Sequence, residues 1–215
     1  MKTPKILFSE KIHLDGLLEA ILSDKKLHAR WLYTLSYLEN CGAKKIARFQ
    51  IIFKENVPLF VLQHASEEFR HTYFMKKQIL KLGLDPDVDV PLLGGMKAKN
   101  LLNLLDVKIL KLLKQEKVIE KEQLCYFAYL LTTFAIEKRA ENLYNSYQEK
   151  LTQHNSKVSI KSIIKEEENH LEEMELKLKD YPMLWNLRKK VVEIESGIFS
   201  QFLHGLFKEI LPLNY

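Results

Sequence analysis

Two copies of one short pattern constrain this chain of 215 residues more than any other feature. Residues 67–71 read EEFRH, and residues 166–170 read EEENH. Each copy places a carboxylate three residues before an imidazole: Glu68 with His71, and Glu167 with His170. On a helix these positions share one face, which is otherwise apolar in both copies. Because an ionised carboxylate facing a packed core is strongly disfavoured unless it is paired or bound to a metal, the two faces predict a shared metal centre.

A further glutamate precedes each copy by nearly the same interval. Glu39 lies about 29 residues before Glu68, and Glu137 lies about 30 residues before Glu167, as in an internal repeat. Each interval accommodates the rest of one helix, a turn and the start of the next helix. Each half of the chain is therefore predicted to form an antiparallel helix pair. Glu141, one turn after Glu137, is an alternative to it, although the interval favours Glu137.

If the two helix pairs pack face to face, four carboxylates and two imidazoles converge. This is the ligand set of a di-iron or di-manganese centre in a four-helix bundle. The predicted metal ligands are Glu39, Glu68, His71, Glu137, Glu167 and His170. One Glu-x-x-His is weak evidence, since a chain with seven histidines and many glutamates contains about one by chance. A third copy, Glu10 to His13, has no upstream glutamate and is set aside. The alternative is that these faces are exposed and their histidines ordinary.

The residues beside the predicted ligands are expected to have other partners. Glu67, Glu166 and Glu168 point to neighbouring faces, where Lys or Arg at the surface would pair with them. His64, one turn before Glu68, could support a ligand, but a core histidine with satisfied hydrogen bonds is the commoner case.

Two further side chains share the face of Glu137. Thr133 lies one turn before it and Tyr144 lies two turns after it. They are candidate catalytic residues that could deliver a proton or quench a radical beside the metal, with ordinary packing as the alternative.

The length and composition predict one helical domain over residues 1–215. Glycine and proline are scarce, which favours long helices over many short strands and indicates an all-α fold. The four-helix core is expected over about 24–178, with Ser23 as the N-cap of its first helix and Ser156 or Ser159 as that of its fourth. The predicted additional segments are an irregular start over 1–9, a helix over about 10–22, a crossover helix over about 100–117 and a C-terminal helix over about 183–210.

Charge and cysteine content narrow the functional classes. The net charge of +5 is mild and indicates a solvated basic surface, so nucleic-acid binding is not favoured. The two cysteines, Cys41 and Cys125, do not form a Cys-x-x-Cys motif and are expected to be buried thiols in a reducing compartment. The chain has no secretory signal and no long apolar stretch. We therefore expect a cytoplasmic protein without a membrane span.

The six-residue set resembles that of the ferritin-like di-iron carboxylate superfamily. This group includes bacterioferritin, rubrerythrin, the radical-generating subunit of ribonucleotide reductase and the bacterial multicomponent monooxygenases. The resemblance covers about residues 24–178 and implies a ferritin-like four-helix bundle that binds two iron ions, with manganese or a mixed Fe/Mn pair as alternatives. It also implies a role for each ligand: Glu39 and Glu137 terminal, Glu68 and Glu167 bridging, and His71 and His170 each completing one ion.

The resemblance further implies an oxidoreductase that activates O2 or peroxide to oxidise or hydroxylate a small organic substrate. No cysteine-rich rubredoxin segment follows the predicted bundle, so an external electron donor is expected. The additional helices would shape a substrate pocket or a homodimer. Three alternatives remain open: ferroxidase or iron handling, hydroxylation of an RNA base, and a metal-free helical scaffold whose last helix binds a partner. The sequence leaves the substrate and the choice between iron and manganese undecided.

Overall fold

The computed structural model of the chain describes residues 8–53, 56–88, 90–117 and 120–211. The described residues form seven α-helices and no strand, which confirms the all-α prediction. The helices are α1 (Phe8–Ser23), α2 (Lys25–Phe49), α3 (Leu59–Gln78), α4 (Gly95–Gln115), α5 (Lys121–Gln153), α6 (Lys161–Lys179) and α7 (Pro182–Ile210). Single 3-10 turns, Gln50–Phe53 and Ile79–Leu82, extend α2 and α3. Of the irregular start expected for residues 1–9, residues 1–7 lie outside the described residues, and α1 already includes the last two.

Three helix starts differ from the sequence prediction. Asp24, not Ser23, caps α2, because its carboxylate accepts from two amides of the first turn at 2.7 and 2.9 Å. Neither serine expected at α6 caps it. Its N-cap is Ile160, whose amide donates instead to the Gln148 side chain of α5 at 2.8 Å. Helix α4 begins five residues early, directly after Gly94, whose φ of 76° and close approach to a phenylalanine ring require a glycine.

Contacts along α2 and α3 show that these helices are antiparallel. At the middle of α2, the Ser36 hydroxyl donates to the Thr72 carbonyl oxygen at 2.8 Å. Further along α2, Gly42 lies beside Glu68. Residue numbers thus rise along α2 while they fall along α3, as the predicted first pair requires.

The second pair and its orientation follow from similar contacts. Glu137 on α5 faces His170 on α6, and residue 148 of α5 reaches the start of α6, so these helices are also antiparallel. The rings of Phe49 and Tyr129 stack at 4.2 Å, and Tyr144 contacts Glu39, so α2 and α5 are antiparallel too. Helices α3 and α5 therefore run parallel, which is the arrangement expected from the long connection that contains α4.

The remaining helices pack around these four. One buried apolar cluster includes residues of all seven described helices. Helix α7 is joined to α5 by Arg139 and Glu195, whose Nη2 and Oε2 atoms lie 2.7 Å apart. The cysteines Cys41 and Cys125 are only partly buried, contrary to the expectation, because Cys41 packs at the margin of the core and Cys125 lines a cavity. Among the described helices, none combines the length and apolar character needed to cross a membrane.

Candidate metal centre

Seven acidic and imidazole side chains meet in the interior between α2, α3, α5 and α6. Each is less than one tenth exposed. They are Glu39 on α2, His64, Glu68 and His71 on α3, Glu137 on α5, and Glu167 and His170 on α6. They are buried because each lies on the apolar stripe through which its helix packs against the others. The structure thus brings together all six predicted ligands and adds His64.

The seven side chains form two overlapping groups of potential metal donors. The His64 set contains His64, Glu68, Glu137 and His170, and the His71 set contains Glu39, Glu68, His71 and Glu167. Within each set, one donor atom per residue lies within 4.8 Å of the others. Glu68 belongs to both sets, as expected for a carboxylate shared by two ions. Glu167 is grouped with the His71 set, although its Oε2 also lies 3.6 Å from His170 Nδ1.

Several buried donor atoms of these sets lack a hydrogen-bond partner within the described part of the chain. They are Nδ1 of His71, Nδ1 of His170, Oε2 of Glu137 and Oε1 of Glu167. Nδ1 of His71 and Oε1 of Glu167 approach to 2.9 Å, but their relative orientation does not make a hydrogen bond. Buried polar atoms without partners are rare and costly. A metal cation among the four atoms would accept their lone pairs, so the residues present fit such a group.

The outward nitrogens of two imidazoles are held by carboxylates from the opposite helix. His71 on α3 contacts Glu166 on α6, with Nε2 and Oε2 2.8 Å apart. His170 on α6 contacts Glu67 on α3, with Nε2 and Oε2 2.7 Å apart. In this reciprocal arrangement Nε2 donates its hydrogen outward, so the Nδ1 lone pair faces the centre. Metal-bound histidines are usually oriented by such contacts.

These contacts correct part of the sequence prediction for the neighbouring glutamates. Glu67 does not meet Lys or Arg but His170, because α3 and α6 turn their motifs toward each other. Glu166 meets both Arg70, as predicted, and His71. Glu168 pairs with Lys165 at 3.3 Å, as predicted.

His64 is the residue that sequence reasoning did not assign to the metal. Its Nε2 lies 3.2 Å from Glu137 Oε1 and 3.5 Å from Glu68 Oε1, and its Nδ1 lies 3.3 Å from the Tyr129 hydroxyl. It therefore presents one nitrogen to the cluster and is held by a hydroxyl at the other. The available signal was its position four residues before Glu68, on the same helix face.

The other candidates occupy different places around the cluster. Glu141 contacts Lys138, is partly exposed and belongs to neither set. Of the two alternatives on α5, Glu137 and not Glu141 therefore lies in the cluster. Tyr144 is buried and its hydroxyl donates to Glu39. Thr133 is buried and lines a cavity beside Glu137.

Burial and mutual repulsion perturb the acidic groups. Desolvation, together with the charges of neighbouring carboxylates, raises the pKa of Glu39 and of Glu137 well above the usual value. Burial also acts to raise the pKa of Glu167, but contacts with His170 and His71 outweigh it and hold the pKa well below its usual value. Burial acts to lower the pKa of His170, yet its contact with Glu167 and the charge of Glu137 raise it to about 9. Without a cation, this cluster therefore retains protons at neutral pH.

A cavity of about 400 Å³ adjoins the His64 set between α2, α4 and α5. Of the seven clustered side chains, His64, Glu68 and Glu137 line it. Gly42 also lines it, and a Cβ added there would lie 3.2 Å from Glu68 Oε2, so the glycine leaves room for that carboxylate. The candidate metal centre is therefore accessible from one side.

Comparisons with family models, with curated proteins and with solved structures find no match to this chain. The functional conclusion is accordingly drawn from the geometry and chemistry of the cluster.

Proposed function

We propose that this protein is a ferritin-like dinuclear non-haem iron oxidoreductase that uses O2 or peroxide to oxidise or hydroxylate a small organic substrate. The observation that carries the proposal is the pair of buried four-residue donor sets that share Glu68. Two antiparallel helix pairs with parallel second and third helices and a long crossover support the ferritin-like bundle.

The chemistry of the donors supports iron, or a mixed Fe/Mn pair. Imidazole is a suitable ligand for iron and carboxylate for manganese, and both are present in each set. The His64 set would hold one ion, the His71 set would hold the other, and Glu68 would contact both. When bound, such a pair of ions supplies the electrons that O2 or peroxide accepts.

The surrounding residues orient the donors and control protons. Glu67 and Glu166 keep the hydrogen of their imidazole partner on Nε2, which leaves Nδ1 free to bind a cation. Tyr144 donates its hydrogen to Glu39 and could therefore supply a proton on that side of the cluster. Thr133 lines the cavity beside Glu137, where its hydroxyl can contact a substrate. A substrate that fills the cavity between its apolar walls would exclude water from the same side.

The adjoining cavity favours oxidation of a substrate over iron handling. Iron handling needs a path for hydrated cations, whereas most of the surface that lines this cavity belongs to apolar atoms. A cavity of about 400 Å³ matches pockets that bind small organic molecules. Hydroxylation by O2 consumes two electrons in addition to those of the substrate, and these would come from an external donor, whereas peroxide already carries them.

Metal analysis of the purified protein after loading with Fe²⁺ tests the proposal. The wild type is expected to bind about two ions per chain, since each donor set holds one. Glu68→Ala combined with His170→Ala should remove both, because one substitution deletes the shared ligand and the other further weakens the His64 set. The control is Glu172→Ala, an exposed position on α6 outside both sets.

Oxygen consumption by the same samples tests the redox part. Iron-loaded wild type and Glu172→Ala should consume O2 in proportion to bound iron, and the double variant should not. Full metal retention by a folded double variant, verified by circular dichroism, would refute the assignment of the cluster.

A further inference from the structure

We propose that the cavity beside the His64 set binds an organic carboxylate with an elongated apolar body, whose carboxylate pairs with Arg48 at the outer end. This inference rests on the proposed function, since it assigns the substrate class of that centre. It follows from the length of the cavity, the character of its walls and the charges at its two ends.

The inner end of the cavity meets only one side of the cluster. His64, Glu68 and Glu137 line it, whereas the residues specific to the His71 set do not. A ligand in the cavity would therefore approach the ion of the His64 set.

The cavity extends from the cluster along two helices. On α5 its lining extends from Glu137 to Cys125, which are about 18 Å apart at about 1.5 Å per residue. On α2 it includes Gly42 and Phe49, about 10 Å apart by the same rise. An extended body of about ten carbons is about 12 Å long, at about 1.2 Å per bond, and lies between these two lengths.

The walls between the two ends are mainly apolar. They are formed by Ile46, Phe49, Leu110, Ala128 and Ile136. Such walls favour a hydrocarbon body, because removing apolar surface from water is the main driving force for binding there. Thr132 also lines the cavity, but its hydroxyl is buried and has no hydrogen-bond partner among the residues that the structure describes.

Among the residues that the structure describes, the outer end has one positive charge without an acidic partner. Lys45 contacts Asp106 and also Asn103, at 2.9 Å, so the lysine and the aspartate neutralise each other. Arg48 is exposed and lines the cavity, and its side chain makes no hydrogen bond or ion pair with the described part of the chain. A guanidinium group binds a carboxylate through two parallel hydrogen bonds, so Arg48 favours a carboxylate over a neutral or cationic head group.

Three probes with the same ten-carbon body and different head groups test the charge preference: decanoate, decanol and decylamine. Their binding to the full chain is measured by isothermal titration calorimetry. Decanoate is expected to bind about tenfold more tightly than decylamine, with decanol between them, because one charge-assisted contact distinguishes the probes. Arg48→Gln should remove this preference. Lys44→Gln, an exposed neighbour on α2 that does not line the cavity, should retain it.

The two cysteines locate the bound probe. Cys125 lines the cavity and Cys41 does not, and both are partly exposed. Decanoate should slow alkylation of Cys125 by N-ethylmaleimide, measured by peptide mass spectrometry, and leave the rate at Cys41 unchanged.

Equal affinity for decanoate and decylamine would overturn the proposal. An unchanged preference in Arg48→Gln, or an unchanged alkylation rate at Cys125, would also overturn it. The metal content of every sample is measured in parallel. Metal-loaded protein that does not bind decanoate would reject the substrate class alone. Protein that binds decanoate selectively but never retains metal would reject the proposed redox function and leave the carboxylate site in place.

Discussion

The reciprocal contacts between Glu67 and His170 and between Glu166 and His71 give a quantitative prediction. Substituting Glu67 by glutamine keeps the shape and the oxygen acceptor but removes the charge that strengthens the imidazole as a ligand. Loss of such an orienting partner usually weakens metal binding by about 10- to 100-fold. The side chain of Glu67 is 25% exposed, so solvent already screens part of its charge. We therefore expect the lower limit, about tenfold or about 1.4 kcal/mol, at the ion of the His64 set.

Glu166→Gln should have a smaller effect at the other ion. The carboxylate of Glu166 contacts both His71 and the cationic Arg70. The carboxylate of Glu67 contacts His170 and the neutral amide of Gln63. A neutral glutamine amide competes less for a charge than an arginine, so more of the Glu67 charge acts on its histidine.

Mn²⁺ affinity measured by competition with a fluorescent chelator distinguishes these variants. Two binding steps are expected for the wild type, and each substitution should weaken one of them. The matched control is Glu168→Gln, which lies on the same helix as Glu166 and loses only a surface pair with Lys165. Equal affinities for Glu67→Gln and Glu168→Gln would refute the orienting role, and a larger loss for Glu166→Gln than for Glu67→Gln would refute the charge argument.

Three further predictions concern the cluster and its surroundings. Gly42→Ala should weaken metal binding by about tenfold without unfolding the protein, because the new Cβ would lie 3.2 Å from Glu68 Oε2 and this carboxylate would have to shift. The control in the same affinity assay is Gly197→Ala, whose Cβ would meet nothing within 4 Å. The melting temperature of metal-free protein should fall as the pH rises from about 5 to 9. The pKa of His170 is raised to about 9, and the pKa values of Glu39 and Glu137 are also raised. The folded state therefore binds more protons than the unfolded state in this range, and it loses stability as they dissociate. The pKa of Glu167 is lowered, so this carboxyl titrates below this pH range. A melting temperature that rises between about pH 5 and 9 would contradict the prediction. Thr132→Val should raise the free energy of unfolding by about 1 kcal/mol, measured by urea denaturation, because it removes a buried hydroxyl without a described partner, and a loss of similar size would show that the hydroxyl is bonded.

The positions of the clustered glutamates could be predicted from the sequence because local spacing determines them. A separation of three residues places Glu68 and His71 on one helix face, whatever the rest of the fold does. An apolar stripe on that face then requires burial. The near-equal intervals also distinguished Glu137 from Glu141, which the structure leaves outside both sets.

The role of His64 could not be decided in the same way. A histidine on an apolar face is either a ligand or a core residue that finds a hydrogen bond, and both have the same sequence pattern. Its distance to Glu137 depends on how α5 approaches α3, which is a tertiary property.

The contacts between the two motifs also required the structure. Glu67 reaches His170 only because α3 and α6 are rotated so that both motifs face each other. Similarly, the start of α6 depends on Gln148 of another helix, so a local capping rule selected a serine that has no such role. The cavity depends on where α4 crosses α2 and α5, and a single sequence carries no signal for that placement.

Anomalous diffraction from crystals soaked in Mn²⁺ tests the central claim most directly. The account predicts two manganese peaks between α2, α3, α5 and α6, one within each donor set and both in contact with Glu68. A single peak, or peaks only at surface carboxylates with the seven buried side chains unchanged, would contradict it.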